Sequence, residues 1–111
     1  MKKQIAILGS TGSIGTQAIE VCLKNGYKVT GLAAGKNIKL LEEQARLLKP
    51  YAVACSDEAA AKELKIRLAD TDIKVYSGND GVCEIAQMDA DVVLNSIVNK
   101  TMKKQRAEQT E

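Results

Sequence analysis

Residues 5–15 read Ile-Ala-Ile-Leu-Gly-Ser-Thr-Gly-Ser-Ile-Gly, a short apolar run followed by three glycines spaced three residues apart. The apolar run is typical of a strand that is buried on both faces. After it, the spacing of apolar residues predicts one face of a helix, formed by Ile14, Ala18, Val21 and Cys22. The stretch therefore predicts a strand, a glycine-rich loop and a helix, in that order.

The glycine spacing suits a loop that binds a pyrophosphate. Gly9 allows a tight turn, Gly12 allows phosphate oxygens to come close, and Gly15 allows the helix to pack closely on the strand. Unpaired backbone N–H groups and the positive end of the helix dipole also stabilise an anion at the first helical turn. The residues at that turn are Thr11, Gly12, Ser13 and Ile14. Such a turn can also bind nothing, but the strand and helix on either side favour a dinucleotide site.

The amino-acid composition indicates the class of protein and argues against two kinds of partner. The 111 residues are 45% hydrophobic and 27% charged, which is typical of one soluble domain. A net charge of +2 and only three aromatic residues, all tyrosine, argue against a nucleic-acid partner. No segment is apolar enough to serve as a membrane span or a secretion signal, so we expect no membrane partner and a cytoplasmic location.

The reactive residue types exclude several chemistries. The chain has no histidine, which rules out the usual catalytic triads and the commonest zinc sites. Its three cysteines lack C-x-x-C spacing and lie within apolar patterns, which predicts that they are buried packing residues rather than nucleophiles or metal ligands. They are Cys22, Cys55 and Cys83.

Strands and helices alternate along the rest of the chain. Further strands are predicted at residues 27–34, 51–55, 73–76 and 91–98. Asn37 can cap a second helix, which Pro50 stops, and Ser56 or Asp57 can cap a third. A turn at residues 77–80 precedes a fourth helix. This order predicts an α/β fold with a doubly wound parallel sheet, Rossmann-like, of about five strands and truncated after the fifth.

The end of the second strand distinguishes NADPH from NADH. An NAD site usually has Asp or Glu there, about 20 residues beyond the glycine loop, to bind the ribose hydroxyls. Here the sequence is Leu-Ala-Ala-Gly-Lys-Asn, with no acid to repel a 2′-phosphate. Gly35, Lys36 and Asn37 instead offer a helix N-terminus, an ammonium group and an amide. Lys36 could be an ordinary solvated lysine, but its position relative to the glycine loop favours a contact with NADPH.

Four motifs in order closely resemble the 1-deoxy-D-xylulose 5-phosphate reductoisomerase family. They are Gly-Ser-Thr-Gly-Ser-Ile-Gly at 9–15, Ala-Gly-Lys-Asn at 34–37, Tyr-Ala-Val at 51–53 and Ser-Ile-Val at 96–98. The resemblance covers residues 4–98 and implies NADPH contacts, with the last three near the nicotinamide. The implied residues are Thr11, Gly12, Ser13, Ile14, Gly35, Lys36, Asn37, Ser96, Ile97 and Val98.

The resemblance stops after the fifth strand. Asn99 stands where the family has glycine, and the family's Asn-Lys-Glu-Ser motif is absent, as is its catalytic domain. We therefore expect an NADPH-binding domain at residues 1–98 and a charged, disordered tail at 99–111. The family uses a divalent Mg or Mn ion and NADPH to make 2-C-methyl-D-erythritol 4-phosphate for isoprenoid synthesis. With no catalytic or metal residue assigned, we expect this chain alone to be inactive.

The remaining expectations concern the oligomeric state of the chain and two alternative functions. The resemblance implies a homodimer for the family, and an open edge at the fifth strand predicts that this chain self-associates. A semialdehyde-dehydrogenase-like NADP enzyme is an alternative, but it would need a catalytic cysteine on a later domain. A non-catalytic module that senses NADPH is the other alternative.

Overall fold

The computed structural model describes residues 3–96. The strands are β1 (Gln4–Leu8), β2 (Lys28–Ala34), β3 (Ala52–Cys55), β4 (Lys74–Ser77) and β5 (Val92–Asn95). The helices are α1 (Ser13–Asn25), α2 (Ile38–Leu48), α3 (Glu58–Arg67) and α4 (Gly78–Ala86). All strand pairs are parallel and the strand order is β4-β3-β2-β1-β5, which confirms the predicted doubly wound sheet. The predicted tail lies outside the described residues.

The first strand is buried from both sides, as its apolar sequence predicts. Ile5 and Ile7 belong to a core cluster with side chains of α1, α2 and α3. Ala6 and Leu8 belong to a second cluster that contains Ile85 of α4. Because successive strand residues point to opposite faces, three helices cover one face of the sheet and α4 covers the other.

The strand order places the glycine-rich loop that follows β1 at the switch point of the sheet. Leu8, the last residue of β1, pairs with Ala33 of β2 on one side and with Asn95 of β5 on the other. The chain segments that follow these three strands therefore leave the same edge of the sheet. In open parallel sheets, ligands bind in the crevice at this edge, where the strand order reverses.

The buried face of α1 differs from the predicted one. Gly15, Ile19 and Cys22 are buried, whereas Ile14 is 60% exposed and Val21 is 52% exposed. Of the apolar residues whose spacing predicted one face of this helix, Cys22 is therefore buried, whereas Ile14 and Val21 are not. The helix is rotated so that Gly15, which has no side chain, lies against the loop that follows β1.

The second, third and fourth strands each begin one residue later than predicted, and two further element boundaries also differ from the sequence prediction. Residues 78–80, predicted as part of a turn, form the first turn of α4, with Ser77 as its N-cap. Asp80 in the first turn is favourable for a helix start, whereas the side chain of the N-cap residue Ser77 makes no capping hydrogen bond. Serine, glycine, asparagine and aspartate are also common in turns. Asp91 and Ser96, which the prediction included in the fifth strand, lie outside β5 (Val92–Asn95), and the predicted residues 97–98 lie outside the described part of the chain.

The cysteines are only partly as predicted. Cys22 and Cys55 are buried, as expected, but Cys83 is exposed on α4. Burial raises the pKa of the Cys55 thiol to about 11, and the negative charge of Asp57 adds to the effect. Cys55 is therefore protonated at neutral pH and is not a nucleophile there.

An ion-pair network joins α2 to the end of α3. Arg46 contacts Glu42 at 3.1 Å and Asp70 at 3.0 Å, and Arg67 contacts Glu42 at 3.2 Å and Glu63 at 2.8 Å. Hydrogen bonds from Arg46 and then Arg67 lower the pKa of Glu42, and a hydrogen bond from Arg46 lowers the pKa of Asp70. Both carboxylates are thus more acidic in the folded chain than in the unfolded chain.

We expect this network to make stability depend on acid pH. A lowered folded-state pKa stabilises the fold above the unfolded pKa, near pH 4, and this contribution is lost as the pH falls through the lower folded pKa. Replacing Arg46 with Met should therefore reduce the drop in urea midpoint between about pH 6 and about pH 3. Lys39→Met, an exposed change on the same helix, is the control and should keep the parent's pH dependence. Equal drops in the parent and Arg46→Met would contradict the prediction.

Candidate cofactor-binding site

The loop after β1 is held against the end of β2 by backbone hydrogen bonds. The N–H groups of Gly9 and Ser10 both donate to the carbonyl of Ala33, at 2.7 and 3.0 Å. Gly12 N–H donates to Gly9 O at 3.2 Å, which closes the turn. The glycine loop, which we define as residues 9–12, therefore has a fixed backbone conformation next to the second strand.

The three glycines have three different physical roles. Gly9 has φ of 82°, a left-handed conformation that favours glycine. A Cβ on Gly15 would lie 2.1 Å from Gly9 O, so only glycine fits where α1 crosses the loop. Gly12 has neither constraint, because its φ is −80° and its nearest neighbour would be 3.6 Å from a Cβ. The fold therefore does not require glycine at position 12, where the exposed backbone leaves room for a ligand.

The N-terminus of α1 lies directly behind this open space. Gly12 is the N-cap, and within the described part of the chain no side chain caps the helix. Thr16 N–H donates to Gly12 O at 2.9 Å, but the N–H groups of Ser13 and Ile14 have no acceptor among residues 3–96. Two donors, the N–H groups of Ser13 and Ile14, therefore lie unpaired within the described residues at the positive end of the helix dipole. The four predicted residues at this turn are Thr11, Gly12, Ser13 and Ile14.

The loop after β2 contains the three residues predicted to bind a 2′-phosphate. Gly35, Lys36 and Asn37 are all exposed. Asn37 Oδ1 accepts a hydrogen bond from Leu40 N–H at 3.3 Å, so Asn37 caps α2 as predicted. A Cβ on Gly35 would meet only Ser56 Oγ, at 3.8 Å, so the fold does not require glycine here either.

Ser96, which follows β5, connects this strand to the glycine loop by hydrogen bonds. Its N–H donates to Leu8 O at 2.8 Å, and its hydroxyl lies 2.8 Å from Leu8 O and 2.9 Å from Gly9 O. Because a hydroxyl has one proton, it donates to one of these carbonyls at a time and can offer a ligand only its oxygen lone pairs. Ile97 and Val98, the other predicted residues of this segment, lie outside the described residues.

The sequence prediction missed Gln44, a buried side chain on α2. Its Nε2 donates to the carbonyl of Ser10 in the glycine loop, at 2.8 Å. Leu41 and Ala45 on the same helix are also buried, so Gln44 lies on the inner face. A glutamine within an otherwise apolar stripe was the available signal, because a buried amide needs hydrogen-bond partners.

A separate surface cavity provides a rival location for a ligand. It has a volume of about 430 Å³, and its lining includes Arg46, Lys49, Tyr51 and Asp72. Tyr51 directly precedes β3, so this cavity lies at the amino ends of the strands. Ligands of doubly wound sheets bind at the opposite, carboxyl ends, which favours the glycine loop.

Comparison with protein families identifies the chain. The family model for 1-deoxy-D-xylulose 5-phosphate reductoisomerase matches residues 5–103. The chain belongs to this family. The resemblance carried by the glycine loop and the Ala-Gly-Lys-Asn motif is thereby confirmed.

Curated reductoisomerases share about half of their aligned residues with the chain. The enzyme from Agathobacter rectalis is 49% identical over 98 residues, and the one from Acetivibrio thermocellus is 51% identical over 88 residues. These matches cover 86% and 79% of this chain but only 26% and 23% of the relatives. The chain thus spans about a quarter of the length of the curated reductoisomerases that it matches.

Solved reductoisomerase structures have the same fold in this region. The structure from Zymomonas mobilis in complex with NADPH has a TM-score of 0.85 and 28% identity, over 89% of this chain and 27% of that one. A reductoisomerase in complex with NADPH, fosmidomycin and magnesium has a TM-score of 0.81 and 27% identity, over 87% of this chain and 25% of that one. NADPH and a divalent metal therefore occur in structures of the family.

The described residues do not fit the metal of these relatives. Residues 3–96 contain no group of three or more His, Cys, Asp or Glu side chains that could hold a metal ion. We therefore assign no metal-dependent step to them. Across the same residues, no helix has both the length and the apolar character needed to cross a membrane.

Proposed function

We propose that the chain is the NADPH-binding part of a 1-deoxy-D-xylulose 5-phosphate reductoisomerase. One observation carries the proposal: Gly12 and Gly35 are exposed glycines that the fold itself does not require. They follow the adjacent strands β1 and β2 at the carboxyl edge of the sheet, where β1 borders the switch point, and one lies beside each predicted phosphate position. A phosphate needs close approach to the backbone at both places, which explains glycine where packing does not.

The pyrophosphate of the cofactor is proposed to lie over the first turn of α1. There it would accept hydrogen bonds from the exposed N–H groups of Ser13 and Ile14, next to Thr11 and Gly12. The 2′-phosphate would lie at the exposed segment 35–37, where Lys36 contributes a positive charge. The nicotinamide would extend towards Ser96, Ile97 and Val98, as the family resemblance implies.

The chemistry of the site follows from the cofactor that it would hold. When bound, NADPH supplies a hydride for the reduction of a carbonyl carbon. The residues of this chain would bind and orient the cofactor, and none of them is assigned a catalytic role. Substrate and metal binding in the reductoisomerase reaction are proposed to belong to the remaining length of the family enzyme. We also propose a cytoplasmic location, because all three cysteines are free thiols.

Replacing Lys36 with Ala should reduce NADPH affinity about tenfold and leave NADH affinity unchanged. A charge-assisted contact is worth roughly 1.5–3 kcal/mol, and the exposure of Lys36 favours the lower end of this range. Calorimetric titration of the parent chain and the variant with both cofactors measures the difference. Lys62→Ala makes the same change of charge on α3 and should bind both cofactors like the parent.

Two results would argue against the proposal. Equal affinities for NADPH and NADH in the parent chain would remove the case for a 2′-phosphate site at residues 35–37. A loss in Lys36→Ala that is shared equally by both cofactors would mean that Lys36 does not recognise the 2′-phosphate.

A further inference from the structure

A buried amide connects α2 to the glycine loop. Gln44 is 7% exposed, and its Nε2 donates to Ser10 O at 2.8 Å across 34 residues of sequence. Ser10 is itself fully buried, and its N–H donates to Ala33 O. The peptide groups on both sides of Ser10 are therefore fixed, one by β2 and the other by Gln44. The next two residues, Thr11 and Gly12, lead directly into the exposed first turn of α1.

The same amide leaves a buried oxygen without a donor. Gln44 Oε1 has no hydrogen-bond partner among residues 3–96, and the same holds for Ser10 Oγ. Burying a polar atom without a partner destabilises a fold, and an apolar side chain of similar size avoids this loss. Stability alone therefore does not explain a glutamine at this position. Its distinctive contribution is the hydrogen bond to the glycine loop.

We propose that Gln44 is a positioning residue that holds the glycine loop in the conformation that receives the pyrophosphate. The proposal deepens the proposed function and rests on it, because the loop is taken to bind NADPH. Helix α2 begins beside Lys36 and Asn37, where the 2′-phosphate is proposed to bind, and Gln44 projects from its buried face. One rigid helix thus sets the distance between the two phosphate positions of the cofactor.

The first test needs no ligand. In Gln44→Met, backbone amide exchange measured by NMR should become about two- to tenfold faster at Ser10 and Gly12, as expected for the loss of one hydrogen bond. Amides of β3 should exchange at the parent's rate. Glu43→Met, an exposed change at the adjacent position of α2, is the control and should leave the loop unchanged.

The second test uses two fragments of the cofactor. ADP carries the pyrophosphate, whereas adenosine 2′-monophosphate carries only the 2′-phosphate. By NMR titration, Gln44→Met should bind ADP about two- to tenfold more weakly than the parent and bind adenosine 2′-monophosphate equally well. Loss of a merely structural contact would affect both fragments alike. Gln44→Leu is a second variant that also lacks the donor, in case the methionine variant does not fold.

The outcomes separate this inference from the proposed function. If the parent binds neither NADPH nor ADP, the proposed function fails, and the exchange rates still decide whether Gln44 holds the loop. Unchanged exchange at Ser10 and Gly12 overturns the inference, even if NADPH binds. Faster exchange throughout all five strands also overturns it, because Gln44 would then stabilise the whole fold rather than the loop.

Discussion

Gly15→Ala is expected to destabilise the fold by about 3 kcal/mol. The added Cβ would lie 2.1 Å from Gly9 O and 2.7 Å from Ser10 Cα, and both of these atoms belong to the backbone. Neither can rotate away, so α1 would have to move off the loop that it packs against. The loss is measured as the difference in the free energy of unfolding by urea between the parent and the variant.

Gly12→Ala is the matched control for this prediction. Its Cβ would lie 3.6 Å from Gly9 O, an ordinary contact, and its φ of −80° suits alanine. Because alanine is less favourable than glycine at a helix N-cap, we expect a loss in the free energy of unfolding of up to about 1 kcal/mol, well below that of Gly15→Ala. Similar losses in the two variants would show that Gly15 is not the point of close contact between α1 and the loop.

Gly12→Val is expected to reduce the affinity for NADPH and for NADH by about a hundredfold while the fold is retained. Valine tolerates the extended backbone of this position, but its two methyl groups would occupy the space above the first turn of α1. Losing about two hydrogen bonds to a charged phosphate corresponds to roughly 3 kcal/mol. Both cofactors carry the same pyrophosphate, so both should be affected alike. Calorimetric titration measures the loss, and circular dichroism checks the fold.

A suitable control places valine at another helix N-cap. Ser77 caps α4 with an extended backbone and without a side-chain hydrogen bond, and it ends β4, which is separated from β1 by β3 and β2. Ser77→Val should therefore bind both cofactors like the parent. If Gly12→Val binds them equally well, the pyrophosphate does not lie over the first turn of α1.

The features that were predicted correctly from the sequence depend on residues that lie close together in the chain. The apolar run of residues 5–8 predicted a strand buried on both faces because neighbouring side chains point in opposite directions. Asn37 was predicted as the cap of α2, and Asp57 was one of two candidates for the cap of α3, where its side chain accepts from Ala60 N–H. Caps are readable because the side chain and the backbone it binds are only three residues apart.

The missed features depend on contacts that are distant in sequence. The inner face of α1 is set by Gly15 against Gly9, and not by the apolar pattern that included Ile14 and Val21. The bond from Gln44 to Ser10 likewise requires α2 to be in place beside the loop. At residues 77–80 the local signal was ambiguous, because serine, glycine, asparagine and aspartate occur both in turns and at helix starts.

The pairing of β1 with β5 has a consequence for the order of folding. Ser96 is hydrogen-bonded to Leu8, although the two residues are 88 positions apart in the sequence. In contrast, β1 and β2 are connected by a single helix. Closing so long a chain segment costs more entropy than forming the β1-α1-β2 unit. We therefore expect the glycine loop to be anchored on β2 early in folding and on β5 late. During synthesis on the ribosome, β1 keeps one unpaired edge until almost all of the described chain has emerged.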